Sequence, residues 1–355
     1  MAPFIVDADT HVDESESTWE SLTGVLAKHL PVTIEPGMEE VNRAGLDPSD
    51  ARWWLVEGRL QSRKIRDERH PRREYRELED IQGRLADMDR MGVDVQVLFP
   101  TFFIRYGTSN PEAEVALTTT YNRWIAERSA KSNGRLRWTA VLPWLDADRG
   151  IEEMRWAKAH GACGIFKRGQ ELGKQAGDSY FLPFYEEASA LNLPICVHTG
   201  NPPLPGGDGD RGFPIIKAFM SLLLAGIPDA FPKLRFGFIE AGASWIPYAL
   251  AQLATLQRQK ELGDTRSRRR GVALKDDLFR NDRFFVTLDS VDRIEHLLPF
   301  GLEDSLMIGT DYSHSDPSAN IAALQEVHTW ADTGKISEAV ASKILEGNPR
   351  SFYGL

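Results

Sequence analysis

Metal-binding side chains follow an apolar run at the start of the chain. Asp9 and His11 stand two positions apart after the apolar residues 4–6, and Glu14 comes three residues later. Residues two apart point to the same face of a β-strand, so Asp9 and His11 would lie side by side. A carboxylate beside an imidazole is half of a divalent-metal site. The spacing predicts a metal half-site, although a solvated strand end would show the same residues.

Side chains of similar kinds end four later apolar runs. These are Lys167 and Arg168 after residues 163–166, His198 in the run from residue 193, Glu240 in the run from residue 234, and Asp311 in the run from residue 305, with His314 three residues further on. In a barrel, the C-terminal ends of the strands converge on one mouth. Carboxylates gathered there need a cation or protons to relieve their repulsion. The combined pattern predicts a metal centre at such a mouth.

The elements that would hold these residues alternate between strand-like and helical patterns. Predicted strands begin near residues 4, 93, 136, 163, 193, 234, 284 and 305, and a helical pattern follows each of them except the first. This alternation is typical of an α/β protein with a (β/α)8 TIM barrel. An open doubly wound sheet is the alternative, but no G-x-G-x-x-G sequence opens the first unit.

A long polar segment, residues 15–82, follows the first predicted strand in place of a helix. It is rich in charged residues and contains Trp53–Val56, which we expect to form a short strand or hairpin. We interpret the segment as an insertion that covers one end of the barrel, as a lid or as a subunit contact. The whole chain, residues 1–355, is then a single metal-dependent domain.

Composition restricts the classes of function. The chain has 355 residues and a formal net charge of -10, which does not suggest a nucleic-acid partner or an anionic membrane surface. We expect no transmembrane helix, because no apolar run approaches 18 residues, and no signal peptide. Cys163 and Cys196 lie in apolar runs and are interpreted as reduced core residues. These features predict a cytoplasmic enzyme.

The pattern of ligand-type residues is similar to that of a known family. Asp9-x-His11, His198 and the Gly-Thr-Asp-Tyr sequence around Asp311 resemble the amidohydrolase superfamily, and more narrowly the branch that includes aminocarboxymuconate-semialdehyde decarboxylase. The resemblance covers nearly the whole barrel. It implies a metal-dependent TIM barrel of amidohydrolase type, in which Asp9, His11, His198 and Asp311 occupy the metal-ligand positions.

One position departs from this branch. Its decarboxylases usually carry a histidine on strand six that acts in proton transfer, whereas this chain has Glu240. Four carboxylates near the mouth would balance two divalent cations, and carboxylates mixed with imidazoles suit iron or manganese. The full predicted ligand set is Asp9, His11, Glu14, His198, Glu240, Asp311 and His314. This set resembles dinuclear non-heme hydroxylases such as 2-aminoisobutyrate hydroxylase, which implies two metals, Fe/Fe or Fe/Mn.

The favoured hypothesis is therefore an O2-dependent monooxygenase that hydroxylates a small carboxylic or amino acid. The first alternative is a Zn- or Mn-dependent hydrolase or decarboxylase of a small carboxylate, with Asp311 as general base and His314 assisting. The second is a non-catalytic subunit that stabilises a paralogous enzyme.

Further roles complete the predicted site. Glu240, His314 and Asp311 are the predicted catalytic residues, and Lys167 and Arg168 would bind the anionic substrate. Lys167 could alternatively pair with Glu240 or, in carboxylated form, bridge two metals. The resemblance and the insertion imply a homo-oligomer, or a hetero-oligomer with a paralogous subunit.

Overall fold

The structure is a computed structural model that describes residues 4–35, 39, 43, 52–63, 71–200, 212–262, 278–281, 283–314 and 319–355. Its strands are β1 (Val6–Val12), β2 (Val32–Ile34), β3 (Trp53–Val56), β4 (Arg59–Ser62), β5 (Val95–Pro100), β6 (Leu136–Val141), β7 (Ala162–Arg168), β8 (Gln170–Glu171), β9 (Lys174–Gln175), β10 (Ile195–His198), β11 (Phe236–Ile239), β12 (Phe284–Leu288) and β13 (Leu306–Ile308). Eight of them form one parallel sheet in the order β1-β5-β6-β7-β10-β11-β12-β13.

The two edges of this sheet meet and nearly close a barrel. Thr10 of β1 forms a parallel bridge with Tyr312, just beyond β13. The His11 amide donates to the Tyr312 carbonyl at 2.9 Å, and the Asp311 amide donates to the Asp9 carbonyl at 2.9 Å. The predicted eight-stranded TIM barrel is therefore confirmed.

Helices connect the barrel strands. The α-helices in the described residues are Arg73–Arg76, Ile81–Met91, Phe102–Arg105, Pro111–Ala130, Ala147–Ala159, Leu182–Ala190, Phe213–Leu224, Ile227–Ala230, Ile246–Glu261, Leu278–Asn281, Ile294–Leu297, Ala323–Asp332, Glu338–Ser342 and Asn348–Tyr353. Local sequence sets several of their ends. Asp80 caps the helix Ile81–Met91 by accepting from the Gly83 amide, and Gly92 ends it in the left-handed conformation at φ 71°.

The helix Asn348–Tyr353 packs against the barrel. Gly237 of β11 leaves room for Phe352, because a Cβ at Gly237 would lie 2.3 Å from the Phe352 ring. The Tyr353 hydroxyl donates to the Ala8 carbonyl of β1 at 2.7 Å. Inside the barrel, the rings of Phe99 and Phe166 lie 5.0 and 5.6 Å from the ring of His198. An apolar layer therefore adjoins the predicted ligands.

The described part of residues 15–82 contains a small sheet of its own. Strands β2, β3 and β4 pair antiparallel, and β3 and β4 form the hairpin expected at Trp53–Val56. Trp54 of this sheet contacts Trp19 and Phe102 edge-on, with ring centroids 6.4 and 6.1 Å apart. These aromatic contacts join the insertion to the barrel, while its role as a lid stays a prediction. Within the described residues, every helix is too short or too polar to cross a lipid bilayer.

Candidate metal centre

Four barrel strands, β1, β10, β11 and β13, position the core of the predicted ligand set. Asp9 and His11 lie on β1, and His198 is the last residue of β10; all three side chains are buried. Glu240 and Asp311 directly follow β11 and β13 rather than ending them. Both have positive φ angles, 58° and 52°. Such backbone is costly for a residue with a side chain and is concentrated at functional sites.

The side chains of six predicted ligands converge at the mouth. They form two overlapping groups, and within each group one ligand atom per residue lies within 4.8 Å of the others. The first group is Asp9, His11, His198 and Glu240. The second group is His11, Glu240, Asp311 and His314. His11 Nε2 is 3.6 Å from Asp9 Oδ1 and 3.4 Å from Asp311 Oδ1. His198 Nε2 is 3.3 Å from Glu240 Oε2. These separations are close to the roughly 3.4 Å between ligand atoms that bind one cation at about 2.1 Å.

Backbone carbonyls determine which nitrogen of each buried imidazole faces the site. His11 Nδ1 lies 3.1 Å from the Pro100 carbonyl, and His198 Nδ1 lies 2.6 Å from the Thr199 carbonyl. A carbonyl oxygen only accepts, so each Nδ1 carries a proton and each neutral ring keeps its Nε2 lone pair. The two Nε2 atoms are 3.2 Å apart. Two lone pairs this close repel each other, unless a cation or a proton lies between them.

Asp9 supplies a second sign that the site suits a cation. Among the described residues its Oδ1 atom has no hydrogen-bond partner, and it is buried 3.6 Å from His11 Nε2 and 3.7 Å from His198 Nε2. A buried carboxylate oxygen without a donor is costly. Burial lowers the pKa of His198, but Glu240 and Asp9 outweigh it and raise that pKa to about 9. The donor set, two imidazole nitrogens among carboxylates, fits a divalent metal ion.

A buried carboxyl on β1 holds the loop that carries Asp311. Asp7 accepts from the Thr310 amide at 2.9 Å and from the Thr310 hydroxyl at 2.6 Å. Burial raises the pKa of Asp7 to about 7, against the lowering effect of these two hydrogen bonds. The contact anchors the loop one residue before Asp311.

His314 closes the second ligand group. Its Nδ1 lies 2.8 Å from Asp311 Oδ1, and its ring stacks on that of His11 with centroids 3.8 Å apart. On the opposite side of the ring, His314 Nε2 lies 3.0 Å from the hydroxyl of Thr101, the residue after β5. The His314 ring is therefore held through both of its nitrogens, and His11 covers one face of it.

Glu14 lies outside both ligand groups, although it was predicted as a ligand. Its carboxylate accepts from the amides of Thr101 and Phe102 at 3.2 and 2.8 Å. Burial raises the pKa of Glu14 to about 8. The carboxyl group therefore caps the short helix Phe102–Arg105 instead of joining the six converging side chains.

Lys167 and Arg168 are likewise not among the converging side chains. Lys167 Nζ is buried 4.4 Å from the centroid of the Phe181 ring and donates to the Arg168 carbonyl at 3.2 Å. Arg168 donates to both carboxylate oxygens of Glu171, at 2.9 and 2.5 Å, and to the Tyr106 carbonyl. Both predicted substrate-binding cations already have partners in the protein.

Sequence reasoning missed three residues near the site. A recess beside the ligands is lined by Asp9, Glu240, Gly242, Thr287, Leu288, Asp289, Gly309 and Asp311. Asp289 directly follows β12, so the rule that selected the ends of the other strands also applies to it. The Thr287 hydroxyl accepts a hydrogen bond from the Glu240 amide at 2.9 Å. The Thr101 hydroxyl contacts His314 Nε2. A hydroxyl beside a predicted ligand carries no signal of its own in the sequence.

Comparisons with known proteins agree with this geometry. The sequence model described as "Amidohydrolase" matches residues 6–355. A gamma-resorcylate decarboxylase of Polaromonas sp. strain JS666 is 25% identical over 300 residues, which are 78% of this chain and 88% of that protein. The resemblance inferred from the strand-end residues is therefore confirmed, including the branch with decarboxylases.

Solved structures show the same fold. An amidohydrolase of Mycobacterium avium subsp. paratuberculosis K-10 has a TM-score of 0.75 and 16% identity, covering 100% of this chain and 99% of that one. A 5-carboxyvanillate decarboxylase of Novosphingobium aromaticivorans, complexed with manganese, has a TM-score of 0.70 and 19% identity, covering 100% and 97%. At these identities the likeness concerns the fold.

The comparisons correct the predicted reaction. The prediction of an O2-dependent iron hydroxylase is wrong, since the sequence relatives are decarboxylases and decarboxylases recur among the structural neighbours. The prediction rested on the number of carboxylates and on Glu240 replacing a histidine. Both features set the charge of the centre, and a charge suited to divalent cations serves redox-neutral chemistry equally well. The iron prediction likewise has no support, because the 5-carboxyvanillate decarboxylase of Novosphingobium aromaticivorans is complexed with manganese.

Proposed function

Because the chain belongs to the amidohydrolase family, we propose that it is a divalent-metal-dependent decarboxylase of a small aromatic carboxylate. One observation carries the proposal: buried Asp9, His11 and His198 converge with Glu240 in a chain whose sequence relatives are gamma-resorcylate decarboxylases. The substrate class follows from those relatives and from a neighbour complexed with 4-hydroxy-3-methoxy-5-nitrobenzoic acid.

The proposed metal is manganese. Carboxylates with some imidazole suit this ion, and the decarboxylase neighbour was crystallised with it. The two ligand groups share His11 and Glu240. One imidazole nitrogen binds one cation, whereas a carboxylate can bridge two. We therefore propose two cations: Asp9, His11 and His198 would hold one, Asp311 and His314 would hold the other, and Glu240 belongs to both groups.

Charge supports a pair of cations. Asp9, Glu240 and Asp311 bring three negative charges to the mouth, and an aromatic carboxylate adds a fourth. Lys167 and Arg168 are engaged elsewhere, with Arg168 held by Glu171. Two divalent cations would neutralise the four charges, which one cation would not. We therefore propose that the metal centre, rather than Lys167 or Arg168, binds the substrate carboxylate.

Decarboxylation also needs a proton, because the C–CO2⁻ bond is replaced by a C–H bond. A bound divalent cation supplies Lewis acidity that favours the developing charge. The three predicted catalytic residues, Glu240, Asp311 and His314, all belong to ligand groups, so we propose that they hold metal. Asp289 lines the recess outside both groups and is half-buried, and burial and the adjacent Asp292 raise its pKa. We propose that its carboxyl group protonates the ring carbon.

Anaerobic turnover tests the proposal. Protein loaded with Mn²⁺ is incubated without O2 with 2,6-dihydroxybenzoate or 5-carboxyvanillate, and released CO2 and the phenolic product are measured. We expect release that depends on metal and is lost in His198→Ala. A requirement for O2, or no release from any member of a wider panel of hydroxybenzoates, would contradict it. The oligomeric state stays a prediction.

A further inference from the structure

We propose that Thr101 is a positioning residue that turns His314 so that its Nδ1 faces the metal, and that Glu14 holds Thr101 in place. Neither role follows from the ligand set itself, since Thr101 and Glu14 lie outside both groups. The inference rests on the proposed metal centre but not on its reaction. It therefore concerns metal binding, whatever the substrate.

The contacts of the His314 ring define its orientation. Nε2 lies 3.0 Å from Thr101 Oγ1, and Nδ1 lies 2.8 Å from Asp311 Oδ1 on the other side of the ring. Stacking on His11, at 3.8 Å between centroids, fixes the plane of the ring. Rotation of the ring by half a turn would put a ring carbon in the place of each nitrogen and break the contacts with both Thr101 and Asp311. The Thr101 hydroxyl therefore selects the orientation in which Nδ1 points into the site.

The Thr101 contact differs from those of the other two histidines. His11 and His198 meet carbonyl oxygens, which only accept. A hydroxyl can donate or accept, so it permits either tautomer of His314. When Nδ1 serves as a ligand, Nε2 carries the ring proton and donates it to Thr101 Oγ1. Such outer hydrogen bonds orient metal-bound histidines and raise their basicity.

Glu14 fixes the position of Thr101. Its two carboxylate oxygens accept from the amides of Thr101 and Phe102, at 3.2 and 2.8 Å. Glu14 is 3% exposed, so water does not compete for these contacts. The residue lies two positions beyond β1, which carries Asp9 and His11. Glu14 thereby ties the end of β5 to the strand that supplies two of the ligands.

Substitution of Thr101 tests the proposal through metal binding. Thr101→Val keeps the branched shape and removes the hydroxyl, whereas Thr101→Ser keeps the hydroxyl. Affinity for Mn²⁺ and Co²⁺ is measured by equilibrium dialysis, and the ligand field by the visible absorption of the Co²⁺-loaded protein. We expect Thr101→Val to bind about 10- to 100-fold more weakly with an altered Co²⁺ spectrum, and Thr101→Ser to resemble the wild type. Equal affinity and spectra in Thr101→Val would overturn the inference, as would equal losses in both variants.

A second measurement needs no substitution at Thr101 and therefore does not depend on the folding of the variant. Wild-type protein with ¹⁵N-labelled histidine is loaded with Zn²⁺, and the His314 signals are assigned by their loss in His314→Gln. We expect a protonated Nε2 and a metal-bound Nδ1; a protonated Nδ1 would overturn the inference. Wild-type protein that bound no divalent cation would overturn the proposed function as well. Unchanged affinity in Thr101→Val would overturn this inference alone.

Discussion

His11 Nε2 and His198 Nε2 face each other at 3.2 Å while the opposite nitrogen of each ring is held by a backbone carbonyl. Neither ring can turn without leaving a carbonyl contact that is buried in the barrel. The two Nε2 atoms are thus placed in advance, and the proposed metal would need little rearrangement of the rings in order to bind. Such a site depends on each of its fixed ligands.

Loss of one fixed ligand should remove the metal. We expect His198→Ala to lose most of its bound Mn²⁺ and to lower turnover at least about a hundredfold, since loss of outer partners alone can cost that much. Elemental analysis after dialysis measures the metal content. His296→Ala is the matched control, because His296 is exposed on the helix Ile294–Leu297. Full metal content in His198→Ala would show that the ion binds elsewhere.

A glycine beside Asp9 should be required for the site. A Cβ at Gly309 would lie 2.4 Å from Asp9 Cβ and 2.9 Å from the Asp9 nitrogen. We expect Gly309→Ala to displace Asp9 and weaken Mn²⁺ binding roughly tenfold or more, as measured by calorimetry. Gly347→Ala is the control, because a Cβ there meets no atom within 4 Å. Similar affinities in the two variants would mean that β1 can shift without loss of the site.

Substitutions of Asp289 and Glu240, two carboxylates of the recess, should distinguish a role in proton transfer from a role in metal binding. Asp289→Asn should slow decarboxylation by about 10²- to 10⁴-fold, the usual contribution of a general acid, and leave metal affinity unchanged. Glu240→Gln should lose metal affinity, because Glu240 belongs to both ligand groups. Turnover and Mn²⁺ binding are measured on both variants. Loss of metal from Asp289→Asn would place Asp289 among the ligands instead.

Lys167 should reduce stability at neutral pH. Burial, only partly opposed by Glu171, lowers its pKa from 10.5 to about 8. Between about pH 8 and 10 the unfolded chain keeps the proton that the folded chain has lost, so the free energy of unfolding rises with pH. We expect Lys167→Met to raise the free energy of unfolding at pH 7 by up to about 3 kcal/mol, and the gain to shrink towards pH 10.

Urea unfolding at several pH values measures this effect. Lys174→Met is the control, since the Lys174 side chain is 39% exposed. We expect that control to change little at any pH. A destabilised Lys167→Met at pH 7 would show that the ammonium group contributes more through Glu171 and the Arg168 carbonyl than its burial costs.

The barrel, and the convergence of six of the seven side chains predicted as ligands, could be predicted from the sequence for one reason. Parallel strands end at the same mouth, so the last side chain of each strand is informative without knowledge of the packing. His198, Glu240 and Asp311 were found in this way. The rule also applies to Asp289, which directly follows β12 and was overlooked.

The errors arose where the outcome depends on a contact between distant segments. Glu14 is close in sequence to Asp9, but its partners are amides at the end of β5. Lys167 lies on β7 beside Phe166, whose ring faces His198. Because successive residues of a strand face opposite sides, Lys167 points away from His198. Arg168 is neutralised by Glu171, which returns to it through the short turn after β7. Patterns along one strand do not reveal these partners.

The closure of the barrel has a consequence for biosynthesis. Strand β1 is synthesised early, yet it pairs with Tyr312 and accepts from the Tyr353 hydroxyl, so its partners emerge from the ribosome long after it does. Until then β1 presents an open edge that can pair with other chains. The proposed metal centre is consequently completed only late in synthesis, because Asp311 and His314 of the second ligand group follow β13.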